Sequence, residues 1–108
     1  MGGGRKEILL VGRVQERAGA VKYQFRVTAR FKRQFRKLDR YTQLMISNWI
    51  DKNLVGTPDP RSHGKPLRGN YAGQWRYRIG NYRLICEIDD DCFYIQALAI
   101  GHRKEIYR

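Results

Sequence analysis

Acidic residues are few in this chain, prolines fewer, and long apolar runs absent. The 108 residues set 22 Lys plus Arg against only 10 Asp plus Glu, a formal net charge of +12. Between Asp59 and Glu87 there is no acidic residue at all, yet the stretch holds Arg61, Lys65, Arg68, Arg76, Arg78 and Arg83. The two cysteines, Cys86 and Cys92, do not form a Cys-x-x-Cys pair. They make no disulfide framework and are expected to be reduced packing residues. No apolar run approaches the ~18–20 residues of a membrane helix. Ile8–Val11 is too short even for the ~7–15-residue core of a secretory signal. The expectation is a cytoplasmic protein with no membrane partner. The length excludes a second catalytic domain or a separate cofactor-binding unit.

What is present is a core's worth of apolar side chains and a surplus of cations. The hydrophobic fraction of 42% suffices for one compact core. A pI near 10.2 on so small a domain is the footprint of a nucleic-acid binder. A second basic cluster, Arg30, Lys32, Arg33, Arg36, Lys37 and Arg40, is interrupted only by Asp39.

Residues 1–21 stand apart, with Gly2, Gly3, Gly4, Gly12 and Gly19 and no sustained periodicity. They read as a flexible extension or a cloning remnant, with Glu7–Val11 compatible with a short added strand. The domain proper is expected over 22–108. Tyr23, Phe25 and Val27 alternate with polar residues, the period of a half-buried strand. Thr28 is placed to cap a helix carrying Phe31, Phe35 and Leu38, and Asp39 to cap a second one. Tyr41, Leu44, Met45, Ile46, Trp49, Ile50 and Leu54 give that second helix a broad apolar face. An irregular stretch over 55–72 holds all three prolines, Pro58, Pro60 and Pro66. Three strands follow. Gly80-Asn81 makes the first hairpin turn, Asp89–Asp91 the second, and Cys92–Ile100 the last strand. Gly101 suits a bulge or bend. The fold class is α+β, in the order β-α-α-β-β-β: a helical hairpin on a mainly antiparallel four-stranded sheet.

Strand pairing then locates a site. With Gly80 and Asn81 as the loop, Arg78 lies opposite Arg83 and Arg76 opposite Ile85. All three arginines leave one face, because side chains alternate. The other face, with Trp75, Tyr77, Ile79, Tyr82, Leu84 and Cys86, suits burial under the helices. Opposed like charges cost ~0.2–1 kcal/mol. A bound anion turns that repulsion into affinity, and planar guanidinium matches phosphate oxygens. The plain alternative is three arginines splayed into solvent.

The remaining chemistry is sparse. No His/Cys/Asp set has metal-ligand spacing, no phosphate-binding glycine loop appears, and Ser47 and Ser62 lack a nucleophile elbow. Neither metal nor cofactor is expected. His102 and Tyr107 stand near the end of the last strand, where an imidazole could move protons. Metal-free RNA cleavage needs only these parts, because the 2′-hydroxyl of RNA is its own nucleophile.

Four stretches, in this order and spacing, carry a resemblance: FKRQFRKLDRY (31–41), KPLRG (65–69), QWRYRIGNYR (74–83) and GHRKEIY (101–107). From Lys22 to Tyr107 the chain resembles the RelE family of bacterial toxins, within the RelE/ParE superfamily. The resemblance implies a ribosome-dependent mRNA interferase that cuts the A-site codon without metal, leaving a 2′,3′-cyclic phosphate and a 5′-hydroxyl. By matched position, Arg83 resembles the family's phosphate-stabilising arginine. Arg76 and Arg78 fall where RelE has two strand lysines. Arg68 and Arg103 match basic site positions, with Lys65 beside them in KPLRG, and Tyr107 matches a near-terminal tyrosine. His102 or Tyr107 would be the general base. Arg30, Lys32, Arg33, Arg36 and Lys37 would meet ribosomal RNA, or form an ordinary solvated helix face. The implied partners are the ribosome, mRNA and an acidic, RelB-like antitoxin through which the complex binds operator DNA. Two other readings remain: a ParE-type gyrase poison on the same fold, and a non-catalytic RNA-binding module.

Overall fold

The computed structural model describes residues 21–104. The expectations about residues 1–20 and Tyr107 lie outside them. Strand β1 (Gln24–Val27) leads into helices α1 (Ala29–Arg36) and α2 (Arg40–Asn53). A loop, a two-residue strand β2 (Lys65–Pro66) and a short 3-10 turn (Gly69–Tyr71) precede β3 (Trp75–Ile79), β4 (Tyr82–Asp89) and β5 (Tyr94–His102). The sheet has five strands in the order β1-β5-β4-β3-β2. Among the described residues only the β1–β5 pair is parallel. The expected four strands thus become five. The extra one is hidden in the irregular stretch, where two residues, one of them a proline, leave no alternation to read.

Both caps form as the side-chain chemistry dictates. The Thr28 hydroxyl accepts the Phe31 N–H at 3.1 Å, and an Asp39 carboxylate oxygen accepts the Thr42 N–H at 3.2 Å. Hydrogen bonds from Thr42 hold the Asp39 carboxyl below its ordinary pKa. The Thr28 hydroxyl also lies 3.0 Å from the Ala97 carbonyl, fastening the helix start to β5. Where β1 ends, α1 takes over the edge of β5: Gln34 Oε1 accepts the Ile100 N–H at 2.8 Å.

The helices cover one face of the sheet. Phe31, Ile46, Ile50 and Leu54 meet Tyr77, Ile79, Leu84, Cys86, Ile95 and Ile100 in a single buried cluster. The expected apolar face of α2 is narrower than its composition, since Tyr41 is 76% exposed and Leu44 49%. Cys86 is buried, whereas Cys92 is exposed on the second turn and packs nothing.

Two local features differ from the sequence-based expectation. The second turn is longer, and β5 starts at Tyr94 rather than Cys92. Asp89 Oδ1 accepts the N–H groups of both Asp91 and Cys92, and Phe93 takes φ 59, which together hold these residues off the ladder. The bulge sits three residues earlier than Gly101. Cys86 faces Ala97 while Ile85 faces Ala99, so Leu98 is the inserted residue.

Candidate functional site

The β3–β4 hairpin sets the geometry. Gly80 takes φ 60 at the first loop position, as a type II′ turn requires. The ladder then places Arg78 opposite Arg83, Arg76 opposite Ile85 and Lys65 opposite Arg76. Tyr77, Ile79, Leu84 and Cys86 are buried under the helices. By alternation Lys65, Arg76, Arg78 and Arg83 therefore share the face that the helices leave open. Lys65 and Arg78 are exposed, and Arg76 and Arg83 half-buried. The terminal Nη1 of Arg83 is buried although the residue as a whole is half-buried. Ile85 and Ala99, with Leu67 and Leu98 against them, give the cations an apolar floor. That floor keeps water from one side of the charges and strengthens their pull on an anion.

Two further basic residues border this row. Arg68 precedes the 3-10 turn and is exposed, one residue after Leu67, whose N–H is bonded to the Gln74 carbonyl at 3.0 Å. Arg103 is exposed just beyond β5, and its N–H reaches the Asn81 carbonyl at 2.9 Å, so its backbone is tied to the hairpin turn.

His102 is not brought to the arginines. Gly101 is the residue opposite Arg83, while His102 faces Tyr82, with ring centroids 5.7 Å apart. Tyr82 packs against the core on the helix side. The imidazole is thus on the wrong face to share a substrate with Arg83. Its Nδ1 accepts the Lys104 N–H at 3.3 Å. The basic set on α1, Arg30, Lys32, Arg33, Arg36 and Lys37, is exposed but belongs to the helical layer, across the sheet from the arginine row. Tyr107 lies outside the described residues.

Two features of the site escape a reading of single residues. The open face is polarised: Glu87 and Asp89 continue it along β4, and Asp90 and Asp91 follow in the turn, bordering a cavity of about 480 Å³. In sequence these acids signal only a turn. Second, Arg61 is engaged elsewhere. Its Nη1 and Nη2 each lie 3.0 Å from an oxygen of Asp90, which also accepts the Tyr23 hydroxyl at 2.8 Å. The Arg61 bonds hold the Asp90 carboxyl below its ordinary pKa, and burial with the Asp90 charge pushes the Tyr23 phenol up to about 12. No other part of the sequence signals this long-range pairing. Among the described residues there is no group of three or more His, Cys, Asp or Glu able to hold a metal ion, and no helix long and apolar enough to cross a membrane.

Known proteins resemble this chain in sequence and fold. Residues 25–107 match the family model for the ParE toxin of type II toxin–antitoxin systems, parDE. Toxin RelG of Mycobacterium tuberculosis is 34% identical over 86 residues, covering 80% of this chain and 97% of that protein. Toxin RelE of the same organism is 28% identical over 86 residues, covering 80% of this chain and 87% of that protein. Among solved structures, the toxin–antitoxin complex RelBE2 of M. tuberculosis aligns with a TM-score of 0.70 and 32% identity, over 79% of this chain and 95% of that one. The isolated Escherichia coli RelE toxin aligns at TM-score 0.60 and 20% identity, over 74% of this chain and 83% of that one, a likeness of fold alone. The chain belongs to the RelE/ParE superfamily and is a toxin of a type II toxin–antitoxin system.

Proposed function

We propose that this toxin is a ribosome-dependent mRNA interferase that cuts mRNA in the A site and so stops translation. The convergence of Arg76, Arg78 and Arg83 on one open face is the observation that carries this reading. The 2′-oxygen attacks the adjacent phosphorus and its proton passes to a base. The bond to the 5′-oxygen breaks, and that oxygen takes up a proton. The products are a 2′,3′-cyclic phosphate and a 5′-hydroxyl. Arg83 neutralises the charge that grows on the phosphoryl oxygens, with Arg76 and Arg78 beside it and Lys65, Arg68 and Arg103 at the margins. A guanidinium stays protonated throughout, so none of these arginines is the base. His102 shares a face with Tyr82 rather than Arg83, which favours Tyr107 for that role. The basic surface of α1 suits ribosomal RNA.

The partner in this reading is an acidic, RelB-like antitoxin, through which the complex meets operator DNA. The net charge of +12 supports it, as do relatives solved as toxin–antitoxin complexes. The site of action is the cytoplasm.

Purified protein added to translating ribosomes tests the reading. Codon-dependent cuts are expected, falling ~10²–10³-fold in Arg83→Ala with the fold intact, the usual effect of losing one charge-stabilising donor. The matched family model describes a ParE toxin, which makes gyrase poisoning the second reading. Stalled gyrase with uncut mRNA would establish it. Salt-sensitive RNA binding with neither effect would leave a non-catalytic binding module.

A further inference from the structure

The loop that delivers Lys65 to the sheet is held far more firmly than its exposure warrants. Residues 61–66 are all exposed, so their burial contributes little. Strand β2 is two residues long, and Pro66 has no N–H to give to a ladder. So short an edge strand specifies its own register poorly, and a slip by one residue would turn Lys65 to the opposite face. Yet several groups converge to fix it. The Trp75 indole N–H donates to the His63 carbonyl at 2.7 Å. The Tyr77 hydroxyl donates to the Pro60 carbonyl at 2.6 Å. Gly64, at φ 83, fits so closely that a Cβ there would stand 2.3 Å from the Arg76 carbonyl oxygen and 2.6 Å from the Trp75 indole nitrogen. Arg61, paired with Asp90, also sits 5.8 Å from the Trp75 ring.

Trp75 itself cannot meet a substrate on the arginine face. It pairs with Cys86 and lies on the helix side of β3, next in sequence to Arg76. We propose that Trp75 is a positioning residue for the anion site: its indole N–H grips the loop one residue before Gly64, and so sets Lys65 opposite Arg76. The proposal rests on the nucleic-acid reading above and adds what fixes the outer edge of that site. The clamp reads the loop through a backbone carbonyl, while the His63 ring separately meets the Trp49 ring edge-on, with centroids 5.7 Å apart.

The test uses Trp75→Phe, which keeps an aromatic ring and removes the donor, with Lys65→Ala, their double variant and Arg83→Ala as controls. The probe is a fluorescein-labelled single-stranded RNA with 2′-O-methyl groups, which lacks the nucleophile and reports binding alone. Amide exchange of Leu67, whose N–H is bonded to the Gln74 carbonyl, reports the register without any RNA. In Trp75→Phe the Leu67 amide is expected to exchange about 10-fold faster while Leu84 is unchanged. RNA affinity should fall about 2- to 5-fold in Lys65→Ala, the scale of one exposed ion pair, and by a similar factor in Trp75→Phe. The double variant should bind no more weakly than Lys65→Ala. Both single variants should lower the salt slope by about 0.7, one phosphate contact on a single strand. Unchanged Leu67 exchange, or an equal loss from Trp75→Phe in the Lys65→Ala background, overturns the proposal. Loss in Arg83→Ala but none in Trp75→Phe overturns it while leaving the functional reading in place. Wild-type binding no better than Arg83→Ala defeats both.

Discussion

Neutralising Arg78 is predicted to move stability and function in opposite directions. Arg78 stands directly opposite Arg83 in the β3–β4 ladder and is exposed, so Arg78→Gln removes a like-charge contact without emptying any core space. Such a contact costs ~0.2–1 kcal/mol. For a domain of this size 1 kcal/mol shifts Tm by about 4–8 °C, so the variant should melt ~1–8 °C higher at low salt. The gain is Coulombic. It should therefore shrink towards zero in 1 M NaCl, where the Debye length is ~3 Å. Function should respond the other way. A charge-assisted hydrogen bond to phosphate is worth ~1.5–3 kcal/mol, which corresponds to ~10- to 150-fold in cleavage. The assay pairs thermal melts at 0.05 M and 1 M NaCl with mRNA cleavage on programmed ribosomes. A variant that melts lower than wild type at low salt, or cuts at the wild-type rate, would show that the two guanidinium groups do not share one anion.

Two further outcomes concern the scaffold. Gln34→Leu should cost about 1–3 kcal/mol, because the Ile100 N–H at the end of the β1–β5 pairing loses its acceptor; urea unfolding at constant m-value measures this, and a loss below 0.5 kcal/mol refutes it. Asp90→Asn should cost up to ~1 kcal/mol at neutral pH, the pair with Arg61 being half-exposed. The Asp90 carboxyl has its pKa lowered in the folded protein. Its contribution is therefore present above the ordinary carboxylate range and is lost as pH falls through the depressed value. The stability gap between wild type and Asp90→Asn should accordingly close as the pH is taken down below the ordinary carboxylate range, and a gap that does not narrow there contradicts the assignment.

Much of this fold is written in local chemistry. Thr28 and Asp39 cap their helices because short oxygen-bearing side chains reach the second or third N–H of a helix whatever surrounds them. Gly80-Asn81 fixes the hairpin, and with it the opposition of Arg78 and Arg83, because a two-residue loop leaves only one register. What stays hidden depends on contacts distant in sequence. β2 lies where Trp75 and Tyr77 bond the loop carbonyls and Gly64 lets the loop approach the edge of β3 closely. The bulge falls at Leu98 within an aliphatic run, Ala97–Ile100, that gives no sign of a broken period. Tyr41 and Leu44 look like core residues by type, but they fall outside the Thr42, Ile46 and Ile50 stripe that the helix buries. Of the candidate site, the strand arginines were legible through pairing. The placement of His102 was not, because it requires knowing how β5 meets β4.

The inserted residue at Leu98 decides more than the shape of one strand. Downstream of it, odd-numbered Ala99 and Gly101 share the arginine face and His102 the other; upstream, even-numbered Gln96 lies across from Glu87 on that same face. Deleting Leu98 would restore a regular ladder and leave the later pairs as they are, whereas closing the bulge with Leu98 retained would shift every later residue by one place and turn His102 to the arginine face. The bulge thus decides which face of the sheet the imidazole meets, independently of residue type.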